Sequence, residues 1–221
     1  QAVDDFDFNT YTRALVDFCN EDLSAFYFDI RKDSLYCDAA GDPKRMACRT
    51  VLDTLFHALI RYAAPVLVFT SEEVWGTRFP EGGSVHLLEW PQVESEFDGF
   101  QLAALWEDVR TLRKGITEAI EPLRRDRQIG SSLEADVTYP TYLGGSHENT
   151  LLRMDLAELA IVSKVTLVAA KGSEGTSDRV LVERSRNHKC GRCWRHLPEV
   201  TEDGALCSRC DQVVAGMDAA A

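Results

Sequence analysis

Two C-x-x-C pairs near the end of the chain constrain it more than any other feature. Cys190-Gly191-Arg192-Cys193 and Cys207-Ser208-Arg209-Cys210 stand thirteen residues apart. A C-x-x-C turn supplies two thiolates at once, and two such turns at this spacing match the general layout of a zinc ribbon. Gly191 relieves the first turn, while Leu197-Pro198 and Asp203-Gly204 can bring the chain back. Four thiolates close a tetrahedral shell and leave no position for water, so the expected Zn(2+) is structural and its ligands are Cys190, Cys193, Cys207 and Cys210. His188 and His196 lie close enough to replace a cysteine, although the four-cysteine set needs neither. A redox C-x-x-C needs a thioredoxin-like βαβ context, and two copies would be a coincidence. An iron–sulfur cluster also takes four cysteines, but the ribbon spacing favours zinc.

The other three cysteines, Cys19, Cys37 and Cys48, sit in apolar, helical surroundings and read as small buried hydrophobes. That usage fits a reducing, cytoplasmic compartment. With 45% hydrophobic residues the chain can bury a core, and no apolar run reaches the ~20 residues of a membrane helix. It begins Gln1-Ala2-Val3-Asp4-Asp5, without initiator Met or signal-peptide pattern, as a piece of something longer would.

The first hundred residues predict helices. Tyr11, Leu15, Phe18, Cys19, Leu23, Phe26 and Tyr27 recur at three- and four-residue steps over Thr10–Tyr27. Asp42-Pro43 is a start signal for a second helix, whose stripe of Cys48, Val51, Leu52, Leu55, Leu59 and Tyr62 closes at Pro65. Thr70-Ser71-Glu72-Glu73 reads as a capping box opening a third. Gly82-Gly83 and Trp90-Pro91 mark an extended stretch, and the acidic segment beyond Pro91 marks a boundary. Further on, Leu102, Leu105, Val109, Leu112, Ile116 and Ile120 fall within about 80° on a helical wheel, with Arg110 and Lys114 opposite. Gly130-Ser131-Ser132 breaks that helix. A strand from Leu133 to Tyr139, a short helix around His147–Leu156, and strands at Ile161–Ala169 and Val180–Glu183 follow, the last two separated by a flexible loop at 171–175. The expected fold is mainly α over 1–97 (a helical bundle), a small mixed α/β junction over 98–184, and a terminal four-cysteine zinc ribbon over 185–217.

The net charge of −12 argues against a nucleic-acid partner until its distribution is considered. Residues 1–100 hold eight Lys/Arg against eighteen Asp/Glu, a balance of −10 that leaves −2 for the other 121. There the basic residues cluster. Arg184, Arg186, Lys189, Arg192 and Arg195 occupy twelve residues without a carboxylate, and Trp194 follows Cys193 directly. An indole on a rigid knuckle beside guanidinium groups suits stacking on an unpaired base, with phosphates neutralised alongside. The alternative is an indole packed on the metal core, with arginines balancing thiolate charge. The second cluster is Arg110, Arg113, Lys114, Arg124, Arg125 and Arg127. It reads either as a solvated helix face paired with Glu107, Glu118 and Glu121, or, for the denser Arg124-Arg125-Asp126-Arg127 off the helix end, as a phosphate contact. There is no Walker A loop, no G-x-G-x-x-G and no Ser/His/Asp arrangement, and His57 lies on a helix. No active site is expected.

Four stretches carry a resemblance: Tyr11-Thr12-Arg13-Ala14-Leu15 with Asp29-Ile30-Arg31-Lys32-Asp33-Ser34-Leu35-Tyr36; the run from Ala64 to Trp75; Ile129-Gly130-Ser131-Ser132-Leu133-Glu134-Ala135; and Lys189-Cys190-Gly191-Arg192-Cys193-Trp194. In this order they span nearly the whole chain, which resembles the C-terminal part of bacterial-type isoleucyl-tRNA synthetases, class I aminoacyl-tRNA ligases. The resemblance implies a helical anticodon-binding domain at the front, then a junction and a zinc module, engaging the anticodon arm of isoleucine tRNA. It implies that Arg192 and Trp194 meet anticodon bases; the basic clusters add Lys189, Arg195, Arg124, Arg125, Arg127, Arg113 and Lys114 as tRNA-binding candidates. The class I ATP-handling motifs and the editing domain are absent. Such a chain would bind tRNA without charging it, with ATP and catalysis left to the catalytic and editing domains of a parent chain, and no DNA or membrane partner. Two rival readings are the zinc-finger part of a DNA glycosylase, which should place a basic helix-two-turn-helix before the finger, and a zinc-stapled protein-interaction module.

Overall fold

The computed structural model describes residues 1–92, 100–141, 148–170 and 179–218. The chain divides into two compact units, Gln1–Asp98 and Gly99–Ala221. The boundary expected near residue 97, the loop at 171–175 and the start of the helix expected at His147 lie outside the described residues.

The first unit is helical. Helix α1 (Phe8–Asp17) starts where the Asp7 carboxylate accepts from the Thr10 amide at 3.1 Å. It runs through a π-helical stretch (Phe18–Phe28) into α2 (Asp29–Cys37). The wider i→i+5 winding rotates side chains off a 3.6-residue stripe. Accordingly Leu23 is buried there while Phe18, expected on the same face, is exposed. Asp42 caps α3 (Pro43–Ala63) by accepting from the amides of Lys44 and Arg45, with Pro43 at the first helical position as the sequence implies. Cys48 is buried on α3 and accepts from the Tyr27 hydroxyl at 3.6 Å, whereas Val51 points to solvent.

Helix α4 (Val68–Arg78) corrects the capping-box reading. It begins two residues before Thr70, after a turn in which the Val66 and Leu67 amides donate to the Ala63 carbonyl. Ser71 is therefore buried inside the helix, and Glu72 turns outward to accept from Ser84 Oγ (2.9 Å) and the Val85 amide (3.1 Å). The would-be cap instead ties down the 3-10 turn Val85–Leu87. Ala64, Trp75 and Val85 form a core with Phe56, Ile60, Phe79 and Leu88 around it.

The second unit is built on α5 (Phe100–Arg125). Leu105, Val109, Leu112, Ile116 and Ile120 are all buried, as their periodicity predicts, but Leu102 is 56% exposed near the helix start. A three-stranded sheet in the order β2-β1-β3 packs against α5. Strand β1 (Ala135–Thr141) pairs in parallel with β2 (Lys164–Ala169) and antiparallel with β3 (Leu181–Arg184). Ala135 and Val137 face the core in alternation, and the Tyr139 ring lies beside Gly115 of α5. Among its described residues, the crossover between β1 and β2 contains two short helices where a single one is expected, α6 (Glu148–Leu151) and α7 (Leu156–Ala160). Ile161 adopts a left-handed conformation (φ 55°) that closes α7, so β2 starts three residues later than β-branched content suggests. Beyond β3, the ribbon β4 (His188–Lys189) and β5 (His196–Leu197) and helix α8 (Ser208–Asp218) complete the unit. Helix α8 has no counterpart among the elements the sequence predicts. No helix among the described residues is long and apolar enough to cross a membrane.

Candidate metal centre

Cys190 follows β4, Cys193 ends the first turn, Cys207 precedes α8 and Cys210 lies in its first turn. All four are buried, and their Sγ atoms lie within 4.8 Å of one another. The Cys193 and Cys207 sulfurs are 3.9 Å apart. A tetrahedral ion with metal–sulfur bonds of about 2.3 Å sets sulfur–sulfur edges of about 3.8 Å, so the donor set fits a closed four-thiolate shell. Neither histidine joins it. His196 Nδ1 is 2.8 Å from the Asn187 carbonyl, and His188 Nδ1 is 3.4 Å from Asp203.

Backbone contacts gather the turns. The Cys190 amide donates to Arg195 O (2.9 Å), Trp194 N to Cys190 O (3.1 Å), Gly191 N to Ala205 O (3.1 Å) and Gly204 N to Lys189 O (2.9 Å). The Lys189 amide donates to the Asp203 carboxylate at 2.8 Å, the main reason that group lies below the usual carboxylate range. Gly191 is required by close approach: a Cβ there would overlap the Gly204 carbonyl. Gly204 has φ 95°, a conformation glycine tolerates. Gly191→Ala is expected to push the two turns apart at a cost of roughly 1–3 kcal/mol, the scale of an overpacked interior. The measurement is chelator competition for the bound metal. An unchanged affinity would show that the 191 and 204 turns tolerate separation.

Burial works against ionising these thiols, but unequally. At Cys190 it is outweighed by hydrogen bonds from the amides of Cys193, Cys207 and Arg192, which bring the group down to about 6. Burial pushes Cys193 and Cys207 up. Arg192 extends Nη1 to 3.8 Å from Cys210 Sγ, where a guanidinium offsets thiolate charge.

The basic residues singled out in the sequence separate into two groups. Arg113 is drawn inward, donating from Nη1 to Leu159 O at 2.7 Å and satisfying a carbonyl in the last turn of α7. Arg195 is also turned into the protein, its side chain only 18% exposed. Lys114, Arg124, Arg125, Arg127 and Lys189 are exposed. Arg124 and Arg125 end α5 itself, with loose contacts to Glu121 and Asp126, and Arg127 occupies a left-handed closing turn (φ 58°). Trp194 is 59% exposed, so it is not packed into the metal core. Its backbone is left-handed (φ 65°), and Lys189 Nζ lies over the ring, 5.3 Å from its centroid.

Residues 1–139 match the family described as the anticodon-binding domain of tRNA ligase. The match takes in the first unit, α5 and most of β1. The chain is 52% identical over 219 residues to an isoleucine–tRNA ligase of Zymomonas mobilis, covering 97% of this chain and 22% of that protein. It is 50% identical to the ligase of Gluconobacter oxydans over 91% of this chain, and 43% identical to that of Agrobacterium fabrum over 90%, covering 21% of each. The chain thus spans about a fifth of the length of these relatives. The matched region covers well over half of the sequence, and the chain belongs to the anticodon-binding domain family of tRNA ligases.

Proposed function

We propose that this chain binds the anticodon arm of isoleucine tRNA as a non-catalytic part of an isoleucine–tRNA ligase acting in the cytoplasm. The observation that carries the reading is the family match over residues 1–139. On this reading one structural zinc ion, held by Cys190, Cys193, Cys207 and Cys210, fixes the knuckle. Trp194 then offers a face for an unpaired base, with the Lys189 ammonium beside it for a phosphate. Arg124, Arg125, Arg127 and Lys114 are exposed for backbone phosphates, which position the tRNA without reading its sequence. Arg192, Arg195 and Arg113 contribute by holding the knuckle and α7 in place. Activation with ATP, transfer and editing belong to the catalytic and editing domains of the parent chain. The acidic first unit is compatible with tRNA if its contact is confined to a small patch.

The test is binding of purified chain to isoleucine tRNA and to an anticodon-mutated copy across a salt series, with metal content measured alongside. Trp194→Ala is expected to cost about 1–3 kcal/mol of tRNA affinity, the range of one base–aromatic stack. Its zinc content should stay near one ion per chain, because the exposed indole does not support the sulfurs. Equal weak binding of both tRNAs by the unmutated chain would overturn anticodon recognition by this piece.

A further inference from the structure

Arg195 and Ser163 link the metal knuckle to the α/β sheet, and neither contact is local in sequence. Arg195 follows the first C-x-x-C by two residues and reaches back across 32 positions to donate from Nη2 to Ser163 O at 3.2 Å. Its Nη1 pairs with Asp155 Oδ2 at 3.5 Å. Asp155 serves two elements at once, since its Oδ1 caps α7 by accepting from the Glu158 amide at 3.0 Å. Ser163 is buried and sits immediately before β2. Its hydroxyl donates to Leu133 O and accepts from the His196 amide of β5 at 2.6 Å, while its own amide donates to Ala135 O at 3.1 Å. The starts of β1 and β2, the cap of α7 and the second strand of the knuckle therefore meet at one point. Where the chain leaves β3 toward the ribbon, the Ser185 amide donates to Glu134 O at 2.7 Å.

We infer that Arg195, Asp155 and Ser163 are positioning residues: they fix the orientation of the metal knuckle, and of the Trp194 indole on it, relative to the α/β body. The tRNA consequence rests on the binding function proposed above; the orientation itself does not. Trp194 adjoins Arg195, so a guanidinium fork anchored at Asp155 and Ser163 sets where the indole faces. The four thiolates organise the knuckle internally but cannot orient it, because all of them lie within it. A base-stacking platform held in advance saves the ordering cost that a swivelling one would meet on binding.

The experiment uses the whole chain with zinc bound and three variants. Asp155→Asn keeps an acceptor for the α7 cap and removes the charge facing Arg195, Ser163→Ala removes both hydroxyl bonds, and Arg195→Lys keeps the charge without the fork. Backbone 15N order parameters for residues 188–214 are expected to fall from about 0.85 toward 0.6 in Ser163→Ala and Arg195→Lys, with a smaller fall in Asp155→Asn. Zinc should remain at one ion per chain. If the knuckle stays as ordered as the sheet in all three, the lock is overturned. Loss of zinc in the variants would overturn it too, by showing that these residues hold the metal site rather than aim it. Affinity for isoleucine tRNA should drop roughly tenfold in the variants that swivel. No tRNA binding even by the unmutated chain would sink the proposed function and leave the order parameters to judge the lock.

Discussion

Chelating the metal is expected to unfold residues 188–214 while α5 and the three-stranded sheet stay folded. Apart from the cysteines, the knuckle's buried apolar side chains reduce to Val200, and its ribbon has two residues in each strand. A ribbon so short is not stable in water unaided. On the zinc reading, metal–thiolate bonds supply the difference: structural zinc sites contribute roughly 10–16 kcal/mol of apparent binding energy coupled to folding. Hydrogen exchange at the amides of Cys190, Gly191, Trp194 and Gly204 is the measurement, because each is hydrogen-bonded within the knuckle. Protection should collapse in chelator and in Cys207→Ser, and recover in the unmutated chain when zinc is returned. The effect should deepen in acid. Burial holds Cys193 and Cys207 above the ordinary thiol range, so metal loading must expel their protons, and falling pH lets protons compete for the sulfurs. Undiminished protection in a chain shown to be metal-free would mean that the cysteines are packing residues.

Ile116→Ala should destabilise the second unit by roughly 2–5 kcal/mol, the usual cost of truncating a buried aliphatic side chain. Domains are typically stable by only about 5–15 kcal/mol, so this is a large fraction. Ile116 has no exposed surface, and it lies in the middle of the α5 stripe that faces the sheet and α7. Leu102→Ala is the control. It belongs to the same stripe in sequence, yet more than half of its surface is in water, so it should shift stability by less than about 0.5 kcal/mol. Urea unfolding followed by exchange of the α5 amides separates this unit from the first. Equal losses in the two variants would show that Leu102 is covered in solution.

Much of this was legible along the chain because the signals were local. The α5 stripe repeats over five turns, and only at its first position does the structure depart from it. Asp42-Pro43 carries its whole capping geometry within four residues. Thr70-Ser71-Glu72-Glu73 failed as a cap for the converse reason. The chain enters α4 from a turn fixed by the Ala63 carbonyl, and Glu72 finds a better use on a loop thirteen residues on. Helix α8 went unread since its first turn is occupied by a metal motif. The π-helical stretch was invisible to a 3.6-residue template that matched its flanks.

Spacing alone determined that four cysteines could meet around one ion, because each C-x-x-C turn closes over four residues and the intervening thirteen suffice for a return. Spacing also marked the basic clusters. What each cationic side chain touches was decided by tertiary structure. Arg113, Arg192, Arg195 and Lys189 are alike as charges along the chain, but the fold brings Leu159 O, Cys210 Sγ and Asp155 to the first three and the Trp194 ring to the last. Whether a guanidinium points into the protein or toward a phosphate depends on which carbonyls and carboxylates arrive from distant segments, and that is a property of three-dimensional packing.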